Sequence, residues 1–191
     1  LGASRNADLR FLDVRVQSSH VVARGEGGCQ EVLAWYDVGC AAACVGASLA
    51  AWEILREWGE TRVIKGKGQV FRDNPLVAAV MGEVGAGIAT SRLLTVDAAR
   101  MLSRPKVYGA ASSRALGATV GAVRRTASAA AMKAIDRAME LMGSAGYSTE
   151  WNLERYWRDV KTIQTALGPG TAAQVELSRH YFGSEPSCGE V

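Results

Sequence analysis

The sequence has few of the residues that usually build metal centres, disulfide frameworks or membrane spans. Its 191 residues include four cysteines and two histidines, and the irregular cysteine spacing favours reduced thiols in a cytoplasmic protein. A membrane-spanning helix needs about 18–20 apolar residues in succession, whereas the richest run, Val38 to Ala51, ends after about 14. We therefore expect no metal site, no membrane span and a cytoplasmic location.

The chain also lacks a block of charge of one sign. Its 22 Lys and Arg residues outnumber 19 Asp and Glu residues, a formal net charge of +3, and they are scattered along the chain. Basic residues would be clustered in a protein that binds the phosphates of nucleic acid. Nucleic acid is therefore not an expected partner.

What the sequence does contain is mostly helical periodicity. Leu9 to Val16 alternates imperfectly between apolar and polar residues and is rich in branched and aromatic ones, which predicts a strand, and a glycine-rich turn follows at 24–28. Five segments beyond the turn have the apolar spacing or the Pro and Gly boundaries of helices. These segments are 30–58, 75–103, 112–142, 153–167 and 171–182. The pattern predicts a short β segment followed by an up-and-down helical bundle.

The most distinctive motif lies near the end of the chain. A helix ends in Gly143-Ser144-Ala145-Gly146-Tyr147, and three short motifs follow in order: Leu153-Glu154-Arg155, Arg158-Asp159 and Gly170-Thr171. This series resembles the C-terminal signature of the acyl-CoA dehydrogenase family, and Phe11–Val16, Gly25–Gly27, Arg62 and Gly82-Glu83 extend the resemblance upstream.

The resemblance implies a division of the chain into three parts. Residues 1–29 would hold the last strand or strands of a middle β-domain, 30–183 the C-terminal helical bundle, and 184–191 a frayed tail. It also implies an FAD-dependent oxidoreductase that desaturates an acyl-CoA thioester and passes electrons to an acceptor such as an electron-transfer flavoprotein. A homo- or hetero-tetramer is expected, in which this chain is a fragment or one subunit.

The same resemblance implies six cofactor-binding positions, which are Arg62, Gly143, Ser144, Gly146, Gly170 and Thr171. The guanidinium of Arg62 would reach the FAD pyrophosphate, since its fork of donors matches phosphate oxygens. The three residues of the glycine turn would line the adenosine end of an FAD held by a neighbouring subunit. Thr171 would bring a hydroxyl and a helix N-terminus near the dinucleotide.

One expected residue is missing. The family usually has a catalytic glutamate immediately before the Gly-Thr pair, but the sequence there reads Thr165-Ala-Leu-Gly-Pro-Gly-Thr171, without a carboxylate. The alternative position on the first bundle helix falls on Tyr36, a poor base at neutral pH. Asp37 and Glu31 are the remaining candidates. A dehydrogenase with a relocated base, a flavin-dependent monooxygenase and a non-catalytic subunit that completes a partner's flavin site all remain open.

Other side chains have simpler interpretations. Arg155 and Asp159 are four residues apart on one helix and are predicted to form a structural ion pair. Cys40 and Cys44 share a helix face in an Ala-rich stretch without a nearby histidine, so we expect core thiols rather than metal ligands. The five tryptophans are predicted to be packing and interface residues.

Overall fold

The computed structural model describes residues 7–22, 24–165 and 171–183. The described chain is a helical bundle, which confirms the predicted fold class. Its helices are α1 (Gly25–Thr61), α2 (Pro75–Leu102), α3 (Pro105–Tyr108), α4 (Arg114–Met142), α5 (Leu153–Thr165) and α6 (Thr171–Phe182). The predicted tail at 184–191 and the Gly170 position lie outside the described residues.

Local chemistry explains where α2 and α4 begin and end. The side chain of Asn74 accepts a hydrogen bond from the Leu76 N–H at 2.9 Å, and Pro75, whose missing N–H costs nothing in a first turn, opens α2. Ser113 caps α4 in the same way, accepting from the Leu116 N–H at 3.4 Å. Helix α4 stops at Gly143, whose φ of 61° favours glycine.

Helix α4 is the centre of the bundle and contacts α1, α2, α5 and α6. Its buried face is rich in alanine and other small residues, which lets the neighbouring backbones approach closely. Cys44 and Leu55 of α1, Ile135 of α4, and Leu153 and Val160 of α5 are fully buried in the largest core cluster. The buried hydrophobic residues form three clusters, and each of them includes residues of α4.

The strand predicted at Leu9 to Val16 is not formed. These residues are exposed and non-helical, and the chain bends near Asp13, whose φ is 48°. A strand needs a second backbone with which to exchange hydrogen bonds. Within the described residues the one β pairing is an isolated antiparallel bridge between Val63 and Val70, so the segment has no partner.

The first helix also differs from its prediction. It begins at Gly25 rather than Gln30, so most of the predicted glycine-rich turn is helical. Two stretches, Gly27–Thr61 and Pro75–Leu102, are long and apolar enough to cross a membrane by length and composition alone, a test that core helices of soluble proteins also meet. Both contribute buried residues to the core shared with α4. The absence of a membrane span stays a prediction.

Candidate functional site

A short hairpin follows α1 and fixes the main chain of Arg62. The Arg62 N–H donates to the Trp58 carbonyl at 2.9 Å, and the Arg62 carbonyl accepts from the Phe71 N–H at 2.7 Å. Gly66 and Gly68 have φ values of 82° and 62°, which let the loop reverse within a few residues. The end of α1 and the start of the next segment are thereby held side by side.

This hairpin and the end of α4 enclose a cavity of about 260 Å³. Arg62 and Gly143, two of the predicted cofactor-binding residues, both line it. Trp58, Lys65 and Phe71 are also part of its wall. Two predicted FAD-binding positions that are far apart in sequence, one assigned to the pyrophosphate and the other to the adenosine end, thus meet in one concave site.

The charge of the cavity suits a bound anion. Arg62 and Lys65 are cations in its wall, and Glu140 is the carboxylate beside them. Glu140 is itself paired with the Arg137 guanidinium on the same helix, so part of its charge is balanced. Two cations within one concavity attract a phosphate group and offer it several hydrogen-bond donors.

The Arg62 side chain lies against an aromatic ring. Its guanidinium carbon is 5.4 Å from the centroid of the Trp58 ring, within the range of a cation–π interaction. The Trp58 ring in turn packs edge-on against Trp151, with centroids 5.7 Å apart and an interplanar angle of 86°. These tryptophans pack as predicted, but the contact between Trp58 and Arg62 was not foreseen, although an i, i+4 spacing on a helix permits it.

The glycine turn that follows α4 has two different faces. Gly143 and Ser144 are exposed, and a Cβ on Gly143 would meet no atom within 4 Å. Gly146 is buried, and a Cβ there would lie 2.7 Å from both Cα and O of Met139. The absent side chain at Gly146 therefore serves close packing against α4, whereas Gly143 opens onto the cavity.

The structure describes the second predicted glycine motif only in part. Thr171 is the first residue of α6, as predicted, and α6 packs against α4. The roles assigned to Ser144 and Thr171 stay predictions.

Asp37, a candidate base, is engaged by a cation. Its Oδ1 lies 3.1 Å from Nε of Arg124 on α4, and the two side chains are 19% and 9% exposed. Burial raises the pKa of Asp37, and the positive charge of Arg124 opposes that rise. The arrangement ties α1 to α4. Glu31, the other candidate, is exposed on α1.

The two cysteines predicted to be core thiols, Cys40 and Cys44, differ in burial. Cys44 is fully buried in the core, and burial raises the pKa of its thiol to about 12. Cys40 is partly buried, and Cys29 is exposed. The described residues contain no group of three or more His, Cys, Asp or Glu side chains that could hold a metal ion.

Helix α5 carries the predicted ion pair and one contact that the sequence did not reveal. Nε of Arg155 lies 3.8 Å from Oδ2 of Asp159, which confirms the predicted ion pair. The Trp157 indole donates to Oδ1 of Asp136 on α4 at 2.7 Å. This second contact joins α5 to α4 and helps hold the glycine turn between them.

Comparison with known proteins shows the family of the chain. Residues 24–177 match the family model described as acyl-CoA dehydrogenase, C-terminal domain. The cyclohex-1-ene-1-carbonyl-CoA dehydrogenase of Geobacter metallireducens is 27% identical over 183 residues, which are 92% of this chain and 45% of the relative. The chain thus spans less than half the length of the curated relatives it matches.

Solved structures have the same bundle. Butyryl-CoA dehydrogenase from Megasphaera elsdenii superposes with a TM-score of 0.71 at 22% identity, covering 81% of this chain and 38% of that one. XiaF from Streptomyces, in complex with FADH2 and glycerol, gives the same TM-score and identity over 83% and 41% of the two chains. The family match covers most of the sequence, and the chain belongs to the acyl-CoA dehydrogenase family as a form of its C-terminal helical domain.

Proposed function

We propose that the chain is part of an FAD-dependent oxidoreductase of the acyl-CoA dehydrogenase type, and that the cavity beside Arg62 binds the phosphates of FAD. The observation that carries this proposal is the meeting of Arg62 and Gly143 in one cavity. A solved relative with the same bundle was in complex with FADH2, which supports the choice of cofactor.

The size of the cavity supports a phosphate rather than a whole dinucleotide. Sites for complete small-molecule ligands usually enclose about 300–1,000 Å³, and this cavity is about 260 Å³. Arg62 and Lys65 would hold the phosphate oxygens, and Gly143, with no side chain, would let the ligand approach the end of α4. The remainder of FAD would lie against a neighbouring polypeptide.

FAD, when bound, supplies the hydride acceptor for the oxidation of an acyl-CoA thioester. The described residues of this chain contribute binding and orientation at the phosphate end. A proton must also leave the carbon next to the carbonyl, and this requires a base within hydrogen-bond reach. Asp37 is paired with Arg124, so we propose that the base comes from another polypeptide.

The pairing of Asp37 favours one alternative, in which this chain is a non-catalytic subunit that completes the flavin site of a partner. An assembly of this kind would cover several large apolar side chains that are exposed on α1 and α2. They are Val32, Leu33, Trp35, Leu93 and Leu94. We propose a homo- or hetero-tetramer in the cytoplasm, with an electron-transfer flavoprotein as electron acceptor.

The test begins with the intact protein purified together with any polypeptide that co-purifies. Denaturation should release a flavin with its yellow absorbance, and a preparation without flavin would overturn the proposal. Arg62→Ala should weaken FAD retention by about 1–3 kcal/mol, the range for one charged hydrogen-bonding contact. Arg92→Ala, which changes an exposed arginine outside the cavity, is the matched control and should retain FAD normally.

The reaction type is decided by the response of the bound flavin. Anaerobic bleaching by an acyl-CoA supports the dehydrogenase. Rapid reoxidation by oxygen with hydroxylation of the substrate supports a monooxygenase instead. Flavin that is retained only when a second polypeptide is present supports the non-catalytic subunit.

A further inference from the structure

One residue in the wall of the cavity, Trp58, contacts the side chain of Arg62. Trp58 lies one helical turn before Arg62, and its ring is 5.4 Å from the guanidinium carbon. Trp151 packs edge-on against Trp58, with ring centroids 5.7 Å apart, so the Trp58 ring has a neighbour that limits its rotation. Arg62 is exposed, and this aromatic contact restricts its otherwise mobile side chain.

The main chain of Arg62 is restricted as well. Its N–H is bound to the Trp58 carbonyl and its carbonyl to the Phe71 N–H, at 2.9 and 2.7 Å. The main chain and the guanidinium of Arg62 are thus both held in place in the absence of a ligand. A side chain that is ordered in advance loses less rotational freedom when it binds, and affinity rises by the amount saved.

We infer that Trp58 is a positioning residue, which holds the guanidinium of Arg62 over its ring so that the donors face a phosphate in the cavity. The inference rests on the proposed function, because it assumes that Arg62 binds the phosphates of FAD. Trp58 acts through Arg62 and needs no contact with the cofactor. Lys65, the other cation of the wall, has no described aromatic support of this kind.

The cation–π contact can be weakened without a change of shape. Fluorine atoms on an indole ring withdraw charge from its face and reduce the attraction for a cation. We suggest site-specific replacement of Trp58 by mono-, di- and trifluorotryptophan in the intact protein, with the dissociation constant of FAD as the measurement. Each fluorine should raise this constant, and the full series should raise it about two- to fivefold.

The chain offers a matched control. Arg56 lies over the ring of Trp52, with its guanidinium carbon 5.8 Å from the centroid, and neither residue was found among those lining the Arg62 cavity. Fluorination of Trp52 weakens the same kind of contact elsewhere on α1. It should leave the dissociation constant of FAD unchanged.

The same series in an Arg62→Ala background completes a double-mutant cycle. The inference requires that fluorination has no effect once Arg62 is gone. An equal effect in both backgrounds would mean that Trp58 acts through packing, and the inference fails. If fluorination of Trp58 leaves the dissociation constant of FAD unchanged while Arg62→Ala raises it, the inference also fails, but the proposed function stands. If Arg62→Ala binds FAD as tightly as the parent protein, Arg62 is not part of the phosphate site, and both the inference and the proposed function are overturned.

Discussion

Asp37 and Arg124 connect the first and the central helix through a nearly buried ion pair, with 3.1 Å between Oδ1 and Nε. Two opposite charges removed from water are stable only while both are present. The carboxylate that the sequence suggested as a base therefore has a structural partner.

Replacement of Arg124 by methionine should strongly destabilise the protein. The change leaves the Asp37 carboxylate buried without this guanidinium, and breaking such a pair typically costs about 3–5 kcal/mol. Denaturant unfolding monitored by circular dichroism measures the loss. Lys133→Met, which breaks the exposed pair with Glu83, is the control and should cost much less. The double variant Asp37→Leu, Arg124→Met should regain most of the loss, and an equally unstable double variant would contradict the explanation.

Burial of Cys44 should make the protein less stable in alkali. Its thiol has a pKa of about 12 in the folded chain against 9.0 as its ordinary value. The unfolded thiol loses its proton first as pH rises, so this contribution to stability is complete below pH 9 and is lost between pH 9 and 12. Cys44→Ala should show a shallower loss of unfolding free energy over that interval. Parallel pH profiles for the two proteins would refute the assignment.

The three described cysteines should differ in reactivity. Cys29 is exposed, Cys40 partly buried and Cys44 buried, and a thiol reacts as its accessible thiolate. An alkylating reagent at neutral pH, followed by peptide mass spectrometry, should modify Cys29 first and Cys44 only after unfolding. Early labelling of Cys44 would show that the helix opens locally.

The two glycines of the turn after α4 should respond to alanine for different reasons. Gly146→Ala places a Cβ 2.7 Å from backbone atoms of Met139, which should cost about 1–3 kcal/mol as overpacking does. Gly143→Ala meets open space but strains a backbone with φ of 61° and ψ of −133°, at a similar cost of about 1–3 kcal/mol.

Thermal unfolding and FAD retention separate these effects. Both variants should melt earlier than the parent protein. Of the two, Gly143→Ala should lower FAD affinity at a temperature where each variant is fully folded, because Gly143 lines the cavity. Equal retention by Gly143→Ala and the parent protein would remove Gly143 from the binding site.

The sequence predicted most of the helices because their boundaries are local. Pro75 and Gly143 mark their own helix ends through fixed or unusual backbone angles, and α2, α4 and α6 lie within two residues of their predicted limits. The prediction of a strand at Leu9 to Val16 was wrong because an alternating pattern indicates only which side chains share a face. It does not supply the second strand with which the segment would pair. The start of α1 was missed because glycines usually break a helix but can be carried inside a long one.

The candidate site was predictable only where a motif pointed to it. Arg62 and Gly143 were identified by resemblance, and their shared cavity is a property of how the hairpin meets α4. The pairing of Asp37 with Arg124 joins two helices, so the spacing of residues along the chain could not predict it. The resemblance made Gly146 a ligand-facing glycine, and only the position of Met139 reveals that it packs against α4.

The central position of α4 also governs how the polypeptide can be divided. A cut between α2 and α4 would leave α1 and α2 to pack only against each other. A cut after Met142 would separate α5 and α6 from α4, the helix against which both pack. Neither half keeps a complete interior, so we expect one cooperative melting transition rather than stepwise loss of modules. A tag or fluorescent reporter inserted within α4 would disturb the surface against which α1, α2, α5 and α6 all pack.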